Sequence, residues 1–153
     1  MLINPQQIID QGILKGENFK CQQNGIDLTV KEIKEIGMSG GLLKEATILP
    51  NYYPISLDQD DCYHLKPGAY AIEFEQNIEI PNNMEALVIH RSSLNRMGAS
   101  IISGLYDSGF KNQIGAVLRV SVPIYIEKGS RVAQIIFFEA ESASLYSGQY
   151  QFK

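Results

Sequence analysis

The chain is poor in the residues that build metal and redox centres. Its 153 residues include two cysteines, Cys21 and Cys62, and two histidines, His64 and His90. The cysteines lie far apart, with none of the close spacing of a zinc site, so they read as reduced packing residues and a zinc centre is not expected. Positive charge is also scarce: 13 Lys and Arg stand against 17 Asp and Glu, a formal net charge of −4. Sequence-independent binding to a nucleic-acid duplex needs a basic face, which this balance argues against. Local binding of a small polyanion stays open. No apolar run is long enough to span a bilayer. Asn4-Pro5-Gln6-Gln7 follows the first three residues at once, without the charged-then-apolar order of a signal peptide. A cytoplasmic protein is the expectation. There is no internal repeat, heptad or low-complexity segment. No linker-like stretch divides the chain, so one domain over residues 1–153 is expected.

The shortage of charge has a pattern. The four arginines, Arg91, Arg96, Arg119 and Arg131, all lie between positions 91 and 131. From Ala86 to Ile126 the only acidic residue is Asp107. Arg91-Ser92-Ser93, with Arg96 shortly after, offers guanidinium and hydroxyl donors that suit phosphate oxygens. Tyr106-Asp107-Ser108-Gly109-Phe110 reads as a tight turn carrying one carboxylate. Each stretch also has a plain structural explanation. A serine pair after a strand commonly caps a helix, and Asp in a hairpin turn commonly makes an Asx contact. Gly129-Ser130-Arg131-Val132-Ala133-Gln134 is a turn leading into an apolar strand with one glutamine. That side chain is either an outward spacer or an amide with a specific partner.

Asn4 as cap, Pro5 in the first turn and Gln7 at the reciprocal capping position predict a short helix, ended by Gly12. Asn24-Gly25 is a turn, and the alternation after it puts Asp27 on the face opposite Ile26 and Leu28. Ile33–Ile36, Ala46–Leu49, Ala69–Phe74, Gln76–Pro81, Met84–Ile89, Ala99–Leu105, Ile114–Val122 and Val132–Ala140 read as strands. One or two helical turns fall between Arg91 and Met97. Short strands at this spacing predict an all-β antiparallel barrel or sandwich rather than βαβ units.

Asn24-Gly25-Ile26-Asp27-Leu28, Arg91-Ser92-Ser93-Leu94-Asn95-Arg96-Met97-Gly98, Leu105-Tyr106-Asp107-Ser108-Gly109-Phe110 and Gly129-Ser130-Arg131-Val132-Ala133-Gln134 occur in the order seen in trimeric dUTPases and dCTP deaminases. The tail Tyr146-Ser147-Gly148-Gln149-Tyr150-Gln151 resembles that of dUTPase-like members of the deaminase-like, archaeal or viral branch. The resemblance runs from about Gln22 to the C-terminus. It implies a distorted antiparallel β-barrel or jelly roll of the β-clip type, assembled as a homotrimer with sites at subunit interfaces. It casts Asp107 as the catalytic carboxylate that holds the attacking water, and Gln134 as its partner or a phosphate contact. It assigns Arg91, Ser92 and Ser93 to phosphate binding, with Arg96 and Arg131 among the substrate contacts. The hairpin from Ser100 to Asp107, with Ile102 and Tyr106, would read the pyrimidine edge. Phe110 would lie under the deoxyribose, and Tyr146 and Gln149 would reach base or phosphate from the tail. Asp27 would stand near Mg²⁺, through water.

Two reactions share this scaffold. In the resembling family, deamination at cytosine C4 uses a glutamate shortly after the Asp turn. The matching position is Val117, and no carboxylate occurs from Ser108 to Ile126. Arg119, the nearest charged side chain, cannot act as a base near neutrality. Diphosphohydrolysis needs only a water, a base and charge neutralisation at the α-phosphate. The expectation is therefore a Mg²⁺-dependent dUTP diphosphatase. The alternatives are dCTP deamination, alone or combined, and a nucleotide-binding trimer without turnover. Departures from the family pattern are Asn112 in place of a glycine, His90 before Arg91, and no Gly/Ser-rich arm after Tyr146.

Overall fold

A computed structural model describes residues 1–151. Helix α1 (Pro5–Asp10) precedes β1 (Leu14–Lys15), β2 (Lys20–Cys21), β3 (Ile26–Ile36), β4 (Gly41–Leu42), β5 (Thr47–Ile48), β6 (Tyr52–Pro54), β7 (Cys62–Leu65), β8 (Gly68–Glu79) and β9 (Met84–His90). Helix α2 (Ser92–Arg96) separates β9 from β10 (Ala99–Ile102), and β11 (Lys111–Val120), β12 (Ile124–Glu127) and β13 (Arg131–Glu139) follow. Six strands close on themselves in the order β8–β11–β10–β9–β13–β3 and back to β8, every pair antiparallel. Closure leaves these strands no free edge. Of the two architectures open to the sequence, the barrel is the one formed. No helix among the described residues is long and apolar enough to cross a membrane.

The period-2 pattern of β8 shows why the barrel closes. Tyr70, Ile72, Phe74, Gln76 and Ile78 are buried, while the residues between them are exposed or half-buried. Gln76 is the polar member of that inward set, and its amide is fully used. Its Oε1 accepts from Thr29 N at 3.1 Å, and its Nε2 donates to Glu17 O and Thr29 Oγ1, each at 2.7 Å. A satisfied amide can be buried without an orphan donor or acceptor.

Asn4 caps α1 through Oδ1, which accepts from Gln6 N at 2.9 Å, and Gly12 follows the helix at φ +68°. The reciprocal cap expected of Gln7 is not formed among the described residues, where its backbone N–H donates to Asn4 O at 3.0 Å and its side chain takes no bond from Asn4 N–H. Ile33–Ile36 is the far end of β3, and Gln76 to Glu79 is the far end of β8. Both strands run past the breaks in their pattern because β-bulges absorb the extra residue. One lies on β3 between Val30 and Glu32, and the other lies on β8 between Asn77 and Glu73, opposite Gln113 and Gly115 of β11.

Candidate functional site

One rung of the barrel carries the first part of the site. Lys20, Asp27, Gln134, Ile89, Ile102, Val117, Ala71 and Lys34 pair successively from strand to strand. Directly paired residues in an antiparallel sheet project to the same side. Ile26 and Ile135, one step away on β3 and β13, are fully buried in the core. The rung therefore faces outward, as alternation predicts for Asp27. Asp27 is nevertheless buried, its side chain only 1% exposed. One nearby glutamine and two arginines remote in sequence cover it. Gln22 Nε2 donates to Asp27 Oδ2 at 2.8 Å, Arg131 Nη1 donates to the same oxygen at 3.1 Å, and Arg91 Nε lies 3.4 Å from it. Arg91 Nη1 also donates to Arg131 O at 3.3 Å. Oδ1 is buried and has no hydrogen-bond partner among the described residues.

The arginine cluster thus forms around Asp27, not around Asp107 as their proximity in sequence suggested. Arg91 and Arg131 both enter it. Arg96 is exposed in the last turn of α2, and Arg119 is exposed on β11 opposite Ser100. Ser92 and Ser93 are exposed in the first turn of α2 and do not cap it. Arg91 holds the cap position and makes no side-chain cap bond. His90 Nδ1 accepts from the Ile101 N–H at 3.3 Å, which ties β9 to β10. Gln134 lies beside Gly25, where a Cβ would sit 2.6 Å from Gln134 Oε1.

The second part is built on the turn after β10. Tyr106 and Ala86 exchange backbone hydrogen bonds of 3.0 and 2.9 Å, Gly109 N donates to Ile80 O at 2.9 Å, and Phe110 N donates to Asp107 O at 3.0 Å. The main chain fixes this turn and leaves the Asp107 side chain exposed. Asp107 borders a cleft of about 460 Å³ with Glu85, Glu141 and Tyr146. Ser108 turns inward instead, where its hydroxyl meets Met84 O and the Ser142 hydroxyl. Tyr106 is a core residue. Its hydroxyl donates to Gly115 O and accepts from Gly115 N at 3.1 Å. Burial pushes its phenol up, only partly offset by the Gly115 contact. Phe110 stacks edge-on between Tyr106 and Tyr146, with centroids 5.1 and 5.2 Å away.

The tail returns over this turn. Tyr146 N donates to Ser108 O at 2.8 Å, and Gln151 joins the hairpin by accepting from Lys111 N at 2.9 Å and donating to Gly109 O at 3.0 Å. Gln149 is exposed, and Gln151 is the tail glutamine that bonds the hairpin. Asn112, which stands where the resembling family has glycine, donates to Tyr150 O at 2.8 Å. Sequence reasoning also missed Gln22, Glu85 and Glu141. Only Gln22 carried a local signal, as an amide two residues before the Asn24-Gly25 turn.

Within one chain the two parts stay apart. Tyr106 pairs with Ala86, whose partner on β13 is Phe137, three residues beyond Gln134. At the usual rise per strand residue that is ~10 Å along the strand. The guanidinium and amide groups thus sit on one region of the barrel, and the carboxylate and aromatic groups on another.

A family model described as dCTP deaminase-like matches residues 5–140. The chain belongs to the dCTP deaminase-like family. A probable deoxyuridine 5'-triphosphate nucleotidohydrolase from Aeropyrum pernix is 34% identical over 156 residues, covering 99% of this chain and 98% of that protein. The deoxyuridine 5'-triphosphate nucleotidohydrolase of Methanocaldococcus jannaschii is 36% identical over 139 residues, 88% of this chain and 89% of its own. Among solved structures, the 2'-deoxycytidine 5'-triphosphate deaminase from Agrobacterium tumefaciens superposes with a TM-score of 0.69 at 16% identity. The match covers 91% of this chain and 48% of that one, so the chain spans about half the length of that deaminase. Native EIAV dUTPase superposes with a TM-score of 0.58 at 18% identity, over 89% of this chain and 94% of its own. At these identities the structural likeness shows the fold.

The donor set around Asp27 does not suit a divalent cation in this family member. Oδ2 is occupied by N–H donors, Oδ1 is closed to solvent, and two guanidinium groups, 3.1 and 3.4 Å from Oδ2, repel a cation there. Among the described residues no group of three or more His, Cys, Asp or Glu is arranged to hold a metal. The site is suited to binding an anion through Arg91 and Arg131, and to orienting a water at Asp107.

Proposed function

We propose that the chain is a dUTP diphosphatase, hydrolysing dUTP to dUMP and pyrophosphate as a cytoplasmic homotrimer. The observation that carries this reading is Val117. It takes the place of the deaminating glutamate as a half-buried aliphatic side chain on β11, paired with Ile102 and Ala71. Asp107 meanwhile keeps an exposed carboxylate on a turn fixed by its main chain. Asp107 orients a water toward the α-phosphorus and takes its proton as the new P–O bond forms. Arg91, Arg131, Ser92 and Ser93 draw the triphosphate charge away from the reacting centre. Gln134 reaches the attacking water or a phosphate oxygen. Phe110 supports the deoxyribose. A divalent cation such as Mg²⁺, held by the triphosphate and not by Asp27, would supply further charge neutralisation.

The separation of the two parts supports a shared site, with Asp107 from one copy and Gln134 from a second. Ile89, Ile102 and Leu105 are exposed apolar side chains on the surface between the two parts, as an interface requires. A second reading, dCTP deamination, draws on Glu85 and Glu141, two further carboxylates beside Asp107. Single-turnover assays with dUTP and with dCTP, each with Mg²⁺ and product chromatography, separate the readings. The expected result is dUMP and pyrophosphate from dUTP and no deaminated product from dCTP. Deamination of dCTP would favour the second reading, and no product from either would leave a nucleotide-binding trimer.

A further inference from the structure

Resting on the triphosphate site proposed above, we propose that Asp27 is a positioning residue that binds Arg91 and Arg131 into one preformed phosphate clamp by direct ion pairs, independently of any metal. The convergence on a single oxygen carries this. Oδ2 of Asp27 takes Gln22 at 2.8 Å, Arg131 at 3.1 Å and Arg91 at 3.4 Å, the two arginines coming from segments remote in sequence. Oδ1 is buried and has no hydrogen-bond partner among the described residues. The other barrel positions of this rung between Gln134 and Ala71 are aliphatic, so the strand geometry itself asks for no acid here.

Two guanidinium groups repel each other unless an anion lies between them. With Asp27 between them, the pair is held at a fixed separation and keeps a net charge of +1. Each arginine spends part of its fork on Asp27 or the main chain. Their side chains stay 29% and 36% exposed, which leaves N–H groups to face a ligand. A planar fork already held in place loses less freedom on binding a phosphate.

The test is calorimetric titration of inorganic tripolyphosphate into the full chain and into Asp27→Asn, in EDTA and again with Mg²⁺. Removing a negative charge would by itself tighten anion binding. A positioning role predicts the opposite sign: affinity at least tenfold weaker in both conditions, with dUTP turnover showing a raised KM and a kcat within about threefold. Asp27→Glu, which keeps the charge but moves it by one methylene, should weaken binding as well. Unchanged or tighter binding in EDTA overturns the proposal, as does a loss seen only with Mg²⁺, which would mean that Asp27 acts through the cation. Failure of both variants to fold makes Asp27 a folding residue and also overturns it, as does a wild-type chain that binds tripolyphosphate only with Mg²⁺. Tripolyphosphate is not a substrate in this measurement, so a wild-type chain that binds it yet leaves dUTP intact refutes the proposed reaction and not the clamp.

Discussion

Gly25 and Gln134 are in close apposition: a Cβ on Gly25 would stand 2.6 Å from Gln134 Oε1 and 3.1 Å from Ile135 O. The turn glycine before β3 therefore makes room for the amide on β13. Gly25→Ala should push Gln134 off its rung beside Asp27. The expected outcome is a loss of about 1–3 kcal/mol in stability from overpacking, with turnover of dUTP lowered more than dUTP affinity. Thermal melts and steady-state kinetics on the same preparation check both. Wild-type turnover in a destabilised variant would detach Gln134 from the reaction.

Arg91→Ala removes one guanidinium from the clamp. A lost charge-assisted contact should weaken dUTP binding by about 1.5–3 kcal/mol. Arg91 is the less directly bonded of the two arginines, 3.4 Å from Asp27 against 3.1 Å for Arg131. Its replacement leaves Arg131 and Gln22 on the carboxylate, so the fold should survive. Unchanged affinity, measured calorimetrically, would make Arg91 a cover for Asp27 and nothing more.

What could be read from the chain, and what could not, divides along one line. The strands and the all-β class were legible because alternation is local: Tyr70, Ile72, Phe74 and Ile78 announce their face within one strand. The full lengths of β3 and β8 were not, because a bulge is decided by the register of the neighbouring strand. Asp27 was assigned correctly to the outer face, yet its burial was illegible. Arg91 and Arg131 cover it from 64 and 104 residues away, and composition cannot show which acid two arginines will choose. Nearness in sequence favoured Asp107, and closure of the barrel favoured Asp27. The burial of the Tyr106 ring was illegible for the same reason, since it depends on the bridge to Ala86 on a strand twenty residues earlier.

Tyr106→Phe tests that core role. The hydroxyl serves both the N–H and the carbonyl of Gly115. Removing it leaves two groups at the bulge without this partner, at a cost of about 1–3 kcal/mol in stability. The pH dependence has a definite sign. Burial raises the Tyr106 phenol above its unfolded value, which is about 10. Its contribution is fully present below the unfolded value and is lost as pH rises through the folded one. Denaturant melts from pH 8 upward should show a shallower alkaline decline in Tyr106→Phe than in the wild type. Parallel declines in the two would show that other groups, Tyr63 among them, govern that limb.

Asp107→Asn bears on the chemistry most directly. The plain account of Asp107 is a turn residue making an Asx contact, but here the main chain makes the turn. Phe110 N bonds Asp107 O at 3.0 Å, Gly109 N bonds Ile80 O at 2.9 Å, and Gly109 stands at φ +86°. The side chain is exposed and borders an open cleft. Asparagine keeps its shape and the turn, so stability should change by no more than about 0.5 kcal/mol, as for an ordinary surface substitution. What asparagine cannot do is accept a proton from the attacking water. Turnover of dUTP should therefore fall on the order of 10²–10⁴-fold, the usual range for a general base. Nucleotide binding should hold within about tenfold, because the phosphate donors sit on the other part of the site. Rapid-quench measurement of dUMP formation, with binding followed separately, reads both quantities. Wild-type turnover by Asp107→Asn would mean that the water is activated without a protein base. A variant that fails to fold would return Asp107 to the role of a turn residue.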